Sequence, residues 1–244
     1  MEARRIHVIG AGRIGRPVLA FLRTAPAWRL GLCLVRDANR AGEPEATADA
    51  ERFFAEPADL IIEAAGPEAL RRHGARALAS ADVWTVSASA LADPGLFAGL
   101  EAAGRAHGHR LRLLPGALGG LDGVAAASVD PDARLQVTAS RPGMTGIAGE
   151  VFAGRLDEAV RRYPNEINIA VAAALAGPGV ARASVRLDDP GPDGAHILGL
   201  SVDSRFGRFS AVAEIEPDPA KRMHPVAACI IAALERETAT IWAG

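Results

Sequence analysis

Through the first half of the chain, short apolar runs and amphipathic stretches alternate, separated by glycine-rich turns. Residues 5–9 form a β-branched run ending in glycines, and residues 17–24 then carry apolar side chains at helical spacing. A second strand is predicted at 29–35 and a third at 58–64 (ADLIIEA), followed by a helix over 67–79. Residues 83–87 and 111–114 read as further strands flanking a helix over 94–107. Strands and helices in this alternation predict an α/β fold with a doubly wound parallel sheet, covered on both faces.

The texture changes near Leu118. Glycine-rich turns give way to alternating segments at 134–139, 183–187, 196–202 and 208–214, which read as antiparallel strands interrupted by one helix over 165–176. The expected organisation is a first domain over 1–117 and a second, α+β domain over 118–221. An apolar helix within 222–244 should return to pack on the first domain.

Composition narrows the classes. A formal net charge of -2 and scattered arginines provide no basic field for nucleic acid. The apolar stretches at 167–177 and 225–234 are about half the roughly 20 residues of a membrane span. No secretory signal opens the chain, so a cytoplasmic protein without membrane partners is expected. Cys33 and Cys229 have neither disulfide nor metal-ligand spacing, and no metal site is expected. Lys221 is the sole lysine, so any mechanism requiring a catalytic amine has one candidate.

The sharpest motif is GAGRIG, which sets Gly10, Gly12 and Gly15 in G-x-G-x-x-G spacing between a strand and a helix. Gly10 permits the tight turn, Gly12 lets backbone approach a pyrophosphate, and Gly15 lets helix and strand pack closely. With Arg13 and Ile14 they form the expected cofactor cradle, where N–H groups and the helix dipole face phosphates. The cofactor is expected to be NAD or NADP. About 20 residues after the last glycine, an acid selects the ribose 2′-OH of NAD and an arginine the 2′-phosphate of NADP. Arg36 and Asp37 offer both, which predicts dual use or a mild NADP preference. EAAGPEAL, VSASALAD and LLPGALGGLDG follow the carboxyl ends of predicted strands, where open α/β sheets bind ligands. Ala65, in the first of these, is a further expected cofactor contact.

Among the six histidines, His7, His73, His107 and His109 sit where structural or solvated roles suffice. His224 is a weaker candidate beside Lys221. His196 opens an apolar strand after the turn-forming run 190–194, and an imidazole titrating near pH 6.5 suits proton transfer. In YPNEINIAVAAALAG, Asn165 can cap the helix, and Asn168 lies about a turn along, able to point its amide at a ligand. Asn165 and Arg141 are the candidate substrate contacts; Arg141 is either a solvated turn residue or a fork for a carboxylate.

Taken in order, these stretches resemble the L-aspartate dehydrogenase family over nearly the whole length. GAGRIG, EAAGPEAL, SASALAD, PGALGGLDG, the block over 151–179, DDPGPDGAH and DPAKRMHPVAACIIAAL carry the resemblance. It implies a Rossmann-type domain, an α+β catalytic domain that also forms a homodimer interface, and NAD(P)-dependent interconversion of L-aspartate with iminosuccinate, oxaloacetate and ammonia. By the same resemblance His196 matches the catalytic histidine, and Ala117 and Asn168 match cofactor contacts. The chain departs from the family pattern at Pro115 (usually Ser), Gly194 (usually Asn), Arg141-Pro142-Gly143 (usually Lys-Pro-Pro) and Met223-His224 (usually Thr-Ser). Two other readings fit the residues: a reductase of a related imine or another amino acid, similar to dihydrodipicolinate reductases, and a non-catalytic NAD(P)-binding sensor.

Overall fold

The computed structural model describes residues 3–216 and 223–241, so Lys221 lies outside the described residues. The chain forms two compact units. The first runs through Leu114 and includes the C-terminal helix; the second begins at Pro115 rather than at Leu118.

In the first unit β1 (Arg4–Ile9), α1 (Gly15–Thr24), β2 (Trp28–Leu34), α2 (Ala38–Ala41), β3 (Ala46–Thr47) and α3 (Ala50–Ala55) come first. They are followed by β4 (Leu60–Glu63), α4 (Pro67–Ser80), β5 (Asp82–Thr85), α5 (Pro94–His107) and β6 (Leu111–Leu113). The sheet order is β3-β2-β1-β4-β5-β6, every pair parallel, so the doubly wound reading holds. Chain growth reverses between β1 and β4, where such sheets open a crevice at their carboxyl ends. Strands covered on both faces need apolar residues throughout, and β1 and β4 meet this with Ile6, Val8, Leu60, Ile61 and Ile62, all buried. His7 shares that interior, its ring 5.0 Å from that of Phe53, and burial pushes its pKa down. Helix starts are locally encoded: Asp93 accepts from the N–H groups of Gly95 and Leu96, and Pro94 opens α5. The short elements α2, β3 and α3 lie where the sequence pattern predicts nothing regular.

The second unit contains α6 (Leu121–Ala127), β7 (Arg134–Ser140), β8 (Gly149–Arg155), α7 (Leu156–Arg162), α8 (Asn168–Ala176), β9 (Ala183–Asp189), β10 (His196–Ser204) and β11 (Gly207–Ile215). Their sheet, β11-β10-β7-β9-β8, corrects the all-antiparallel expectation, because β7 and β9 pair in parallel. The long crossover between them, which includes α7 and α8, makes that pairing possible. Alternate residues Leu135, Val137, Ala139, Val185 and Leu187 are buried. On α8 Ala170 to Ala174 are all buried, as expected of a helix apolar all round.

The last helix, α9 (Pro225–Thr238), packs with α1. Ala227, Ile230, Ala233 and Leu234 recur at i, i+3 and i+4 spacing and join Val18, Leu19 and Leu22 in one core. Ile230 is fully buried. Ile230→Ala should therefore cost the first unit about 2–4 kcal/mol, the sum of lost transfer free energy and residual cavity. Urea unfolding with an unchanged m-value checks this, and a loss near zero would place α9 outside the core.

Candidate active site

The turn after β1 is built on close backbone approach. Gly10 takes φ +105°, and its N–H donates to Leu34 O at 2.9 Å. A Cβ at Gly10 would lie 2.8 Å from Ala65 Cβ, and one at Gly15 would lie 1.9 Å from Gly10 O. Glycine at both positions is what lets β1, the turn after β4 and the start of α1 converge. At Gly12, by contrast, an added Cβ meets nothing within 4 Å. Open space lies over the turn, and no side chain caps α1, whose N-cap is Ile14. Gly10, Gly12, Arg13, Ile14 and Gly15 thus gather at one helix start, with Ala65 exposed beside them. Arg16 braces the turn, donating from Nε to Ala11 O at 3.0 Å and from Nη2 to Ala41 O at 2.8 Å.

A buried acid, Glu63, shapes the wall next to this turn. Its Oε1 accepts from the N–H groups of Ala65 and Gly66, both at 2.8 Å, and its Oε2 accepts from Thr85 Oγ1 at 2.5 Å. Thr85 Oγ1 in turn accepts from Ser87 N–H at 3.0 Å. One carboxylate therefore ties together the ends of β4 and β5. Burial pushes the Glu63 carboxyl up, while these hydrogen bonds pull it down. Glu63 is marked in the sequence only as an acid inside the apolar run LIIEAA, and it is not among the expected site residues.

Arg36 and Asp37 lie just past β2 and are exposed. Asp37 caps α2, its Oδ1 accepting from Asn39 and Arg40 N–H groups, and its Oδ2 lies 3.5 Å from Arg40 Nε. Half of the carboxylate is thereby committed to the backbone, and two arginines flank it.

In the second unit His196 is the first residue of β10 and is partly buried. Ile197 pairs with Ser140 of β7, so the register brings His196 opposite Arg141. Arg141 N–H donates to Asp188 O at 2.9 Å, and its guanidinium Nη1 pairs with Glu166. Burial is the main cause pushing the His196 pKa down; Arg141 lowers it further and Glu166 opposes them. The structure therefore joins two of the anticipated residues, His196 and Arg141, and adds Glu166. The only sequence signal for Glu166 was an acid between two asparagines. Asn165 does not cap α8: Ile167 occupies that position without a side-chain cap, and Asn165 is exposed in the turn after α7. The helix starts later because Tyr163 O accepts from Glu166 N–H in a tight turn. Asn168 is accordingly the first residue of α8 rather than one turn into it. Ala117 sits, half-buried, in the turn before α6. The loop after Arg141 is pinned by Asp189, whose carboxylate accepts from N–H groups of Gly143, Thr145, Gly146 and Gly191, pulling its pKa down to about 2.

The open space over Gly12 and the uncapped start of α1 fit the diphosphate of a dinucleotide. Comparison with known proteins agrees. Residues 10–114 match the model described as homoserine dehydrogenase, NAD binding domain, and residues 116–237 match aspartate dehydrogenase, C-terminal. The chain is 35% identical to the L-aspartate dehydrogenase of Ruegeria pomeroyi, covering 97% of this chain and 94% of that one. It is 33% identical to the L-aspartate dehydrogenase of Pseudomonas aeruginosa over 87% of this chain and 88% of the other. Its fold is similar to the crystal structure of aspartate dehydrogenase from Thermotoga maritima, with TM-score 0.80, 19% identity and full coverage of both chains. A homoserine dehydrogenase from Thiobacillus denitrificans shares the fold at TM-score 0.62 and 15% identity, over 96% of this chain and 73% of that one. The chain belongs to the L-aspartate dehydrogenase family.

Proposed function

We propose that this protein is an NAD(P)-dependent L-aspartate dehydrogenase, interconverting L-aspartate with oxaloacetate and ammonia. The observation that carries the chemistry is a partly buried imidazole, His196, held beside a guanidinium, Arg141, in the unit that matches the aspartate dehydrogenase model. The nicotinamide dinucleotide, when bound, supplies the acceptor or donor of hydride. Its phosphates fit the Gly10–Gly15 turn, whose N–H groups and helix dipole favour anions.

The rest is the work of the chain's own groups. Aspartate arrives with a protonated amine, which must lose a proton before its carbon can give up hydride. With its pKa pushed down, His196 is mostly neutral at pH 7, so a ring nitrogen can accept that proton. The ring releases that proton to solvent, then withdraws one from the water that adds to the imine carbon and passes it to nitrogen as ammonia leaves. Arg141 suits a substrate carboxylate, because Nη1 is the nitrogen that holds Glu166 and a guanidinium has further donors in its fork. Asn168 and Ala117 remain assigned as cofactor contacts on the strength of the resemblance alone, and Asn165 remains a candidate substrate contact from its place in the sequence.

For the assembly we favour a homodimer; support comes from the second sheet, where Ile197 and Val212 stand exposed on β10 and β11. A cytoplasmic setting is supported by the buried thiol of Cys33, and no helix among the described residues is long and apolar enough to cross a membrane.

The direct test follows absorbance at 340 nm with oxaloacetate and ammonium, using each reduced cofactor and a control without ammonium. Ammonium-dependent oxidation is expected; tight cofactor binding without turnover of any imine would favour the sensor. His196→Ala should lower kcat by about 10²- to 10⁴-fold with NADH affinity unchanged, and a loss below tenfold would remove His196 from proton transfer.

The cradle makes a paired prediction. Gly12→Ala should fold normally yet weaken NADH binding by about tenfold or more, since a methyl fills the phosphate space. Gly15→Ala should fail to fold stably, because its methyl collides with Gly10 O. Fluorescence titration and thermal melting separate the two effects. At the rim, Arg36→Ala should weaken NADPH more than NADH, and Asp37→Asn, which keeps the α2 cap, should weaken NADH alone. Equal effects on both cofactors would dismiss a selecting role for either residue.

A further inference from the structure

Glu166 has no part in the chemistry above, yet it is the ion-pair partner of the arginine beside His196. Three elements converge there. His196 opens β10, Arg141 follows β7 in the register position opposite, and Glu166 lies in the turn between α7 and α8. Among the described residues, Arg141 and Glu166 are the charged groups that act on the imidazole; its β11 partner, Ile215, has no charge. Glu166 is only partly exposed and holds Arg141 through a single nitrogen, Nη1. A guanidinium has five donors in a rigid fork, so one anchored nitrogen fixes the direction of the remaining edge without using it up.

We infer that Glu166 is a positioning residue for the reaction: it aims Arg141 at a substrate carboxylate and balances the arginine's charge beside His196. This inference rests on the dehydrogenase reading for its first half only. Without Glu166, Arg141 swings on a long flexible stem and loses its aim. The imidazolium would also face an uncompensated cation, consistent with the opposite influences of the two groups on the ring. A substrate carboxylate entering the fork restores a negative charge beside the histidine, so substrate binding and proton affinity are coupled through the pair.

The test uses the full chain and the variants Glu166→Gln, Glu166→Ala and Arg141→Met, with His196→Gln to assign the ring signal. Proton NMR titration of His196 without substrate reads the charge balance whatever the reaction proves to be. Glu166→Gln should move the His196 midpoint down by roughly half a unit, and Arg141→Met should move it up. Kinetics read the aim. Glu166→Ala should raise KM for oxaloacetate about tenfold with NADH affinity unchanged, whereas Glu166→Gln, which keeps a hydrogen-bond acceptor, should largely spare KM. In an Arg141→Met background the Glu166→Ala change should add almost nothing, because its effect passes through the arginine. Unchanged titration midpoints in both single variants would overturn the charge balance. Equal Glu166→Ala effects in both backgrounds would overturn the positioning role. If the parent shows no ammonium-dependent turnover, the dehydrogenase reading fails while the NMR result stands.

Discussion

The first unit depends on three pieces of backbone meeting without side chains between them. At Gly15 a single added carbon would sit 1.9 Å from Gly10 O, well inside any real contact, and at Gly10 it would press on Ala65. The consequence extends beyond a tight turn. Because α1 starts so close to the end of β1, its apolar stripe of Val18, Leu19 and Leu22 meets both the sheet and α9, and the core forms around that meeting. The same closeness aims the uncapped helix start at the space over Gly12. Packing and the open helix start therefore share one cause, and of the three glycines only Gly12 has open space where a side chain would be.

Two buried carboxylates, one in each unit, fix loops of their own units, and they do so with opposite electrostatics. Glu63 lies among apolar strand residues, where desolvation outweighs its hydrogen bonds and raises its pKa. Asp189 sits in a concave nest of backbone N–H groups that favours the anion, lowering its pKa to about 2. The sign of the linkage differs accordingly. Asp189 stabilises its loop fully above the ordinary carboxylate range and loses that contribution as pH falls toward 2. The charged form of Glu63 is instead penalised at neutrality, and its bonds to Ala65, Gly66 and Thr85 offset that penalty. Removing Glu63 would leave those three donors without an acceptor.

Local chemistry was legible in the sequence wherever a few consecutive residues decide the outcome. The glycine spacing, Pro67 and Pro94 at helix starts, and the unbroken apolar runs of β1 and β4 all act over a handful of positions. The short elements α2, β3 and α3 were not legible, because a helix of one turn carries no period to detect. The parallel pairing of β7 with β9 was also hidden, since strand direction is set by what connects the strands and not by their alternation. The Asn165 cap failed for a related reason. Asparagine favours several turn roles equally, and the turn from Tyr163 to Glu166 took precedence. The pairing of Arg141 with Glu166 crosses 25 positions and has no periodic trace.

The residue at 194 links the architecture of this loop to its electrostatics. The resemblance places an asparagine two residues before the histidine, whereas here the position is Gly194. A Cβ at 194 would lie 2.3 Å from Pro190 Cβ and 2.6 Å from Pro190 O. The turn is closed by Gly194 N–H on Gly191 O at 3.2 Å and held by Asp189 accepting from Gly191 N–H at 3.0 Å. An amide side chain would require this turn to open, so position 194 contributes no polar side chain beside His196. The charged groups that influence the ring come instead from the end of β7 and the turn after α7, as a cation and an anion held together. A neutral amide would orient an imidazole without altering its charge balance, whereas an ion pair acts on that balance. In this chain the compact turn at 190–194 therefore leaves the proton affinity of the histidine to burial first, and then to Arg141 and Glu166.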